Sequence, residues 1–261
     1  MHAELCKRER VIAVVVARAG SKGVRGKNTA SVAGKPCVAW TIEHAKDAPF
    51  LEDVVVSSDS PEILGLAGEM GVRAHQRSDS LASDTARVDD ALREAVGWWE
   101  GARADGAKEP RHATEIDGVV LLYGNVPVRP AGLVARAVSL WQETGCDSVQ
   151  SYVGVGKHHP WWQVRIEADG RVKPWQGDRL FGGVYRRQEL PPSLVPDGGV
   201  VVVSRRALFH EIAGLDPSHP HAFLGRDHRA IVNEEGSVID IDAPLDLVVA
   251  GAVLGERHAH R

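Results

Sequence analysis

Apolar and polar positions alternate in blocks along the chain, and each block carries the period of a strand or a helix. Residues 10–17, "RVIAVVVA", are a continuous apolar run, the pattern of a strand buried on both faces of a sheet. After a glycine-rich stretch, "GKPCVAWTIEHAKDA" (34–48) predicts a helix with Pro36 in its first turn. "DVVVSSD" (53–59) predicts a second buried strand and "VRAH" (72–75) a short one. Between them, "SPEILGLAGEMG" (60–71) predicts a helix opened by a Ser-Pro cap and stopped at Gly71. A polar loop over 76–85 leads to a helix from Thr85 through Trp99, and residues 101–116 read as a polar surface loop.

The second half continues the alternation. "DGVVLLYG" (117–124) predicts a strand, "PAGLVARAVSLWQETG" (130–145) a helix with apolar residues at helical spacing, and "DSVQSYV" (147–153) another strand. Over residues 154–196 the pattern gives way to prolines, tryptophans and short alternating runs, which predict an inserted β-rich arm. "DGGVVVVSRRALFHEI" (197–212) returns to strand then helix, and "GSVIDIDAPLDLVVAGAVL" (236–254) predicts a last strand and helix. Neither an internal repeat nor a low-complexity tract is present. Strands alternating with helices predict an α/β fold, a Rossmann-like and mostly parallel sheet with helices on both faces. We expect one domain over 1–261 with the arm at 154–196. Ligands of such sheets gather at the carboxyl ends of strands, where the glycine-rich stretch lies.

Composition narrows the partners. The chain has 261 residues, 43% hydrophobic, enough for one domain with a normal core. A net charge of −4 gives no general attraction to nucleic acid or anionic membrane. A charged start without an apolar segment, and no long apolar run, predict neither signal peptide nor membrane span, hence a cytoplasmic protein. Cys6, Cys37 and Cys146 are scattered and odd in number, which fits a reducing compartment.

Against that acidic balance, "VVVARAGSKGVRGKN" (14–28) puts Arg18, Lys22, Arg25 and Lys27 among three glycines. Glycine lets backbone N–H groups converge on phosphate oxygens, and four cations would offset a triphosphate. The spacing is neither that of a Walker A loop nor GxGxxG, and a solvated loop with scattered charge is the alternative. Near the other end, Asp240 and Asp242 flank Ile241. Alternation along a strand would put both carboxylates on one side, where they and phosphate oxygens complete an octahedral Mg²⁺ site. Alternatively Asp242 caps the helix that begins near Pro244. His158 and His159 have no third ligand at metal spacing.

Four blocks in order give the chain a family likeness. "ARAGSKGVRGKN" is similar to A-R-x-x-S-K-G-x-x-x-K-N of the acylneuraminate cytidylyltransferases, the CMP-sialic acid synthetases, through Ala17, Arg18, Ser21, Lys22, Gly23, Lys27 and Asn28. "VVVSSDSPEI" resembles the family's second strand, "RSDSLASDTA" its R-P-x-x-L-A-x-D-x-A segment, and "VIDIDAPLDL" its S-I-D-I-D-T-x-x-D-L end. The resemblance runs from about Arg10 to Leu254. It implies a nucleotide-diphospho-sugar transferase-like sheet and transfer of CMP from CTP to a 2-keto-3-deoxy sugar acid with Mg²⁺. Arg18 and Lys27 would be catalytic. Ala17, Ser21, Lys22, Gly23, Asn28, Arg77, Asp84 and Ala86 would hold the nucleotide, and Asp240 and Asp242 the metal. The arm would pair two subunits into a homodimer, with Trp161, Trp162 and Trp175 as contacts.

The sugar side departs from the family. "LLYGNVPVRP" has Tyr123, Asn125 and Val126 where the family's L-Q-P-T-S-P-L-R has glutamine, threonine and serine, although Pro127 and Arg129 remain. Gly124 and Pro127 also match Q-G-D-E-P of the related 3-deoxy-manno-octulosonate cytidylyltransferases. Asp197 and Val201 replace the asparagine and tyrosine of N-G-A-x-Y, Trp162 replaces a lysine after H-H-P, and Arg187 matches an arginine. Tyr123, Asn125, Arg187 and Asp197 are the sugar-side candidates. Arg87 and Val88 stand where the family has small serines. The alternatives are another nucleotide or sugar acid, a GT-A-like glycosyltransferase with Asp240-Ile241-Asp242 as its DxD motif, or a non-catalytic nucleotide-binding protein.

Overall fold

The computed structural model describes residues 9–20, 23–83, 85–104 and 115–259. The strands are β1 (Val11–Val16), the short hairpin β2 (Ser31–Val32) and β3 (Lys35–Pro36), β4 (Leu51–Ser58), β5 (Arg73–Gln76), β6 (Gly118–Tyr123), β7 (Ser148–Gly154), the hairpin β8 (Val164–Ile166) and β9 (Val172–Pro174), β10 (Leu194–Ser204) and β11 (His228–Asn233). The helices are α1 (Cys37–Lys46), α2 (Pro61–Glu69), α3 (Asp79–Ala82), α4 (Val88–Ala104), α5 (Leu133–Thr144), α6 (Arg205–Leu208) and α7 (Pro244–Ala259).

Seven strands form one sheet in the order β11-β7-β10-β6-β1-β4-β5. β1 pairs in parallel with β4 and β6, β4 with β5, and β7 with β11, and β10 alone runs antiparallel to its neighbours. The unbroken apolar run of β1 has a direct cause. Val11, Ala13 and Val15 pack with α1, α2 and α5 on one face, whereas Ile12 and Val14 pack with α4 and α6 on the other. In α5, Leu133, Val134, Ala137, Val138 and Trp141 are buried at helical spacing. Ser60 caps α2 by accepting from the Ile63 N–H at 3.4 Å, as the Ser-Pro start implied.

Four elements differ from the sequence expectation. Residues 236–242 are not a sheet strand: they run as a loop with a single bridge, Ile239 to Val128. The sheet's last strand is instead His228–Asn233, a charged edge strand exposed along much of its length. The polar loop over 76–85 contains the one-turn α3, and α4 starts at Val88 rather than Thr85. Its C-terminal end continues to Ala104, into the stretch read as loop. Over 154–196 short 3₁₀ turns dominate, with the β8–β9 hairpin as the arm's own strand pair. Prolines 160, 174, 191 and 192 withhold the donors that longer ladders need.

Candidate functional site

The carboxyl ends of β1, β4 and β6 open toward one side, and those of the predicted nucleotide and metal residues that are described collect there. A third hydrophobic cluster builds this end. Ile241, Val32, Cys37, Trp40, Val128, Ala250 and Leu254 pack together, with Val24 of the glycine loop against them. Ile241 is completely buried and its N–H donates to the Asn125 carbonyl at 2.9 Å. That anchor turns the flanking aspartates outward without a regular strand. Asp246, not Asp242, takes the N–H groups at the start of α7, accepting from Asp242 N at 2.9 Å and Ala243 N at 2.7 Å. The Asp242 carboxylate is left for Lys27, whose Nζ donates to Oδ1 at 2.8 Å. Gly23 is needed nearby, because a Cβ there would overlap the Asp242 carbonyl oxygen. Gly23→Ala should therefore cut turnover about tenfold, short of the roughly 10²-fold that a full 1 Å misplacement can cost. An unchanged rate in a steady-state assay would detach this contact from function.

Asp240 is the other carboxylate. Its Oδ1 accepts from Asn125 Nδ2, and its Oδ2 lies near Gly198, at the register shift of β10 between Pro196 and Val201. Burial first, and the Asp242 charge second, push its pKa up to about 6, with Lys27 pulling the other way. Two hard oxygen donors whose charges oppose each other suit Mg²⁺, which keeps waters and shares its shell with substrate phosphates. Among the described residues no cluster of three metal-ligating side chains exists, and such a two-carboxylate site needs none.

A cavity of about 210 Å³ lies beside these groups, lined by Val16, Arg18, Asn28, Arg77, Ala86 and Tyr123 among others. It joins one predicted catalytic residue, three predicted nucleotide residues and one predicted sugar residue. Asn28 Nδ2 donates to the Arg18 carbonyl at 2.8 Å, whereas its buried Oδ1 takes no hydrogen bond. Gly124 makes room for that oxygen, since a Cβ would meet it at 3.0 Å and Ala17 Cβ at 2.8 Å. Ala17 N donates to the Ser57 carbonyl at 3.1 Å and closes the β1–β4 junction under the loop. Arg18 Nη1 reaches the Ser83 carbonyl at 3.4 Å, which links the glycine loop to the 77–86 segment. Burial, and secondarily Asp240, raise the Tyr123 phenol pKa, so it stays a neutral donor. Arg87, at the serine position of the family pattern, also lines the cavity while its guanidinium is held by Asp89 at 3.0 and 2.8 Å. Ser21, Lys22 and Asp84 lie outside the described residues.

The sugar-side candidates divide. Tyr123 and Asn125 adjoin Asp240. Asp197 is fixed by Ser151 Oγ, by Gly199 N at 2.9 Å and by Asn233 Nδ2 at 2.7 Å, and it lines a second cavity of about 350 Å³ with His158, Glu234 and Glu235. Arg187 pairs with Glu235 at 2.9 Å on the rim of that cavity. His159 has both ring nitrogens in use, with the Trp161 N–H and the Pro191 carbonyl each at 3.1 Å, which makes it a structural histidine. Trp161 packs against Gly182 within the arm, and Trp175 is exposed. A larger cavity of about 680 Å³ between α1, α5 and α7 holds none of the predicted site residues, so size does not select the site. Sequence reasoning missed Thr41, Ser57 and His75. Each stands among other polar residues of α1, β4 and β5, so no local pattern along the chain singled it out.

The sequence profile of the Cytidylyltransferase family matches residues 12–97, the span from β1 through most of α4. CMP-N,N'-diacetyllegionaminic acid synthase of Legionella pneumophila is 30% identical over 91% of this chain and 93% of its own length. The chain belongs to the cytidylyltransferase family. N-acylneuraminate cytidylyltransferase of Escherichia coli is 26% identical over 93% of the chain, which spans only 52% of that longer protein. In fold, a CMP:2-keto-3-deoxy-manno-octonic acid synthetase complexed with CTP superposes with a TM-score of 0.66 at 18% identity, covering 95% of this chain and 99% of that one. The glycine loop, Arg77 and all of the cavity lining except Tyr123 fall inside the span of the family profile, whereas Asp240 and Asp242 lie beyond it. No described helix is long and apolar enough to cross a membrane.

Proposed function

We propose that this family member transfers the cytidylyl group of CTP to a hydroxyl of a 2-keto-3-deoxy sugar acid of the sialic-acid type. The observation that carries the reading is the meeting of three parts at one sheet end: the basic glycine loop, the small cavity and the Asp240–Asp242 pair, tied together by Lys27. The cavity takes the base, with the Arg77 guanidinium as its polar contact and Asn28 in its wall. Arg18, Ser21, Lys22 and Lys27 take the triphosphate. Asp240 and Asp242 would hold Mg²⁺, which supplies charge neutralisation at the phosphates. Tyr123, Asn125, Arg187 and Asp197 face the acceptor.

The acceptor oxygen bonds to the α-phosphorus, the α–β phosphoanhydride bond breaks, pyrophosphate leaves and the hydroxyl proton passes to solvent. Positioning and cationic stabilisation by Arg18 and Lys27 carry the rate. Residues 154–196 are a dimerisation arm inserted in a single domain, and the working form is a homodimer in the cytoplasm. Its support is the exposure of Ile166, Trp175, Phe181 and Tyr185 along the arm. The pairing of Arg187 with Glu235 favours a second reading of the acceptor, in which the sugar carboxylate is bound elsewhere.

Incubation with CTP, Mg²⁺ and a panel of nonulosonic and octulosonic acids should yield a CMP-sugar by mass spectrometry, and an absence of any such product contradicts the reading. Asp242→Asn should shift the Mg²⁺ titration of that reaction upward by roughly tenfold. An unmoved titration would leave Asp242 only its ion pair with Lys27.

A further inference from the structure

Arg77 lines the 210 Å³ cavity, yet its guanidinium is fixed from outside it. The residue is 6% exposed. Nε donates to Ser57 Oγ at 3.3 Å and Nη2 to the Ser57 carbonyl at 2.8 Å. Among the described residues Nη1 donates no hydrogen bond, and with the second N–H of Nη2 three N–H groups are left for a ligand. Ser57, wholly buried near the end of β4, faces His75 across the parallel pairing with β5, and its Oγ lies 3.2 Å from His75 Nδ1. Trp98 of α4 covers the imidazole with ring centroids 5.2 Å apart.

The direction of this chain follows from the donors. A guanidinium only donates, so Ser57 Oγ accepts from Arg77 and its own hydrogen is left for His75. We assign His75 Nδ1 as the bare nitrogen of a neutral ring that accepts this hydrogen, an assignment made from the network and not an observed proton position. The surroundings agree: burial lowers the ring's pKa and Arg77 adds to that, against Glu94 on α4. Burial likewise lowers that of Arg77, with Asp59 and Glu94 opposing.

We infer that Ser57 and His75 are positioning residues for Arg77, and that nucleobase recognition depends on a hydrogen-bond chain running from His75 through Ser57 to the guanidinium in the cavity. The inference rests on the reading of that cavity as the base site. Neither residue touches the cavity. Their effect is to remove the freedom of a long side chain before the nucleotide arrives, which spares the entropy of ordering it on binding.

Titration calorimetry on the full chain separates this from a purely structural role, with CTP as one probe and inorganic tripolyphosphate as a base-free one. Ser57→Ala and His75→Leu should weaken CTP binding about tenfold, the scale of one lost hydrogen bond, and leave tripolyphosphate binding unchanged. Ser57→Thr keeps the hydroxyl and His75→Asn places an acceptor near the Nδ1 position, so both should retain CTP affinity. Unchanged CTP binding in Ser57→Ala and His75→Leu overturns the inference. Equal loss of both probes does so too, because it assigns the pair to the fold. A parent protein that binds tripolyphosphate but shows no preference for CTP overturns the base-site reading itself, and that result is in hand before any variant is made.

Discussion

Lys27→Ala should lower turnover by about 10²- to 10³-fold, the range set by loss of one preorganised electrostatic stabiliser, while the protein stays folded. The structure separates these effects. Lys27 Nζ meets Asp242 at 2.8 Å, but the Asp242 side chain is 73% exposed. The Lys27 side chain itself is 19% exposed, but with so exposed a partner the pair contributes ~1 kcal/mol, so the melting temperature should move by roughly 2–4 °C. In the proposed function this cation, paired with Asp242, would serve a ligand's charge more than the fold. Pyrophosphate release and thermal melting on the same preparation check both halves. Near-normal turnover removes Lys27 from the chemistry, and a large fall in melting temperature reassigns it to the fold.

Arg129→Met should do the reverse, with stability taking the larger loss. Arg129 is 1% exposed, and burial lowers its pKa to about 9, so it remains charged at neutral pH. Its Nε donates to the Gly199 carbonyl at 2.6 Å, Nη1 to Thr41 Oγ1 at 3.0 Å and to the Val126 carbonyl, and Nη2 to the Tyr123 carbonyl at 3.1 Å. One guanidinium thus ties the end of β6, the loop after it, α1 and β10. Methionine keeps much of the volume but removes every one of these bonds: the Tyr123 and Val126 carbonyls retain the Val126 N–H and the Thr41 hydroxyl as donors, whereas the Gly199 carbonyl loses its side-chain donor, and a buried carbonyl left unpaired costs ~1–3 kcal/mol. Relief of a buried charge offsets part of that, and a net loss of about 3 kcal/mol lowers the melting temperature by roughly 10 °C. Lysine cannot reproduce the fork, so Arg129→Lys should recover only part of the loss. A melting temperature within 2 °C of the parent's, as an order-of-magnitude bound, contradicts this account of Arg129.

The parts of the fold legible in the sequence are those whose local pattern and tertiary role coincide. β1, β6 and the Val54–Val56 centre of β4 are buried between helices, so their sequences are apolar runs. β11 was missed because an exposed edge strand has no such constraint, and "HRAIVN" mixes charge with apolar residues. The segment "SVIDID" imitates a strand because Ile239 and Ile241 pack against the core two positions apart while Asp242 is exposed, an alternation made with one bridge and no ladder. The same division holds for the site. The glycine loop, the 77–86 segment and the Asp240–Asp242 pair are contiguous motifs and are readable along the chain. Ser57, His75 and Thr41 act through hydrogen bonds to residues 20, 18 and 88 positions away. No local spacing records such partners.

The central claim is that the glycine loop, the cavity and the carboxylate pair form one cytidylyltransferase site. Its most direct test is pyrophosphate release with Mg²⁺, in a matrix of CTP, UTP, GTP and ATP against nonulosonic and octulosonic acids. The account predicts release that requires both CTP and one sugar acid. Release with another nucleotide in place of CTP, or none in any combination while CTP still binds, would contradict it.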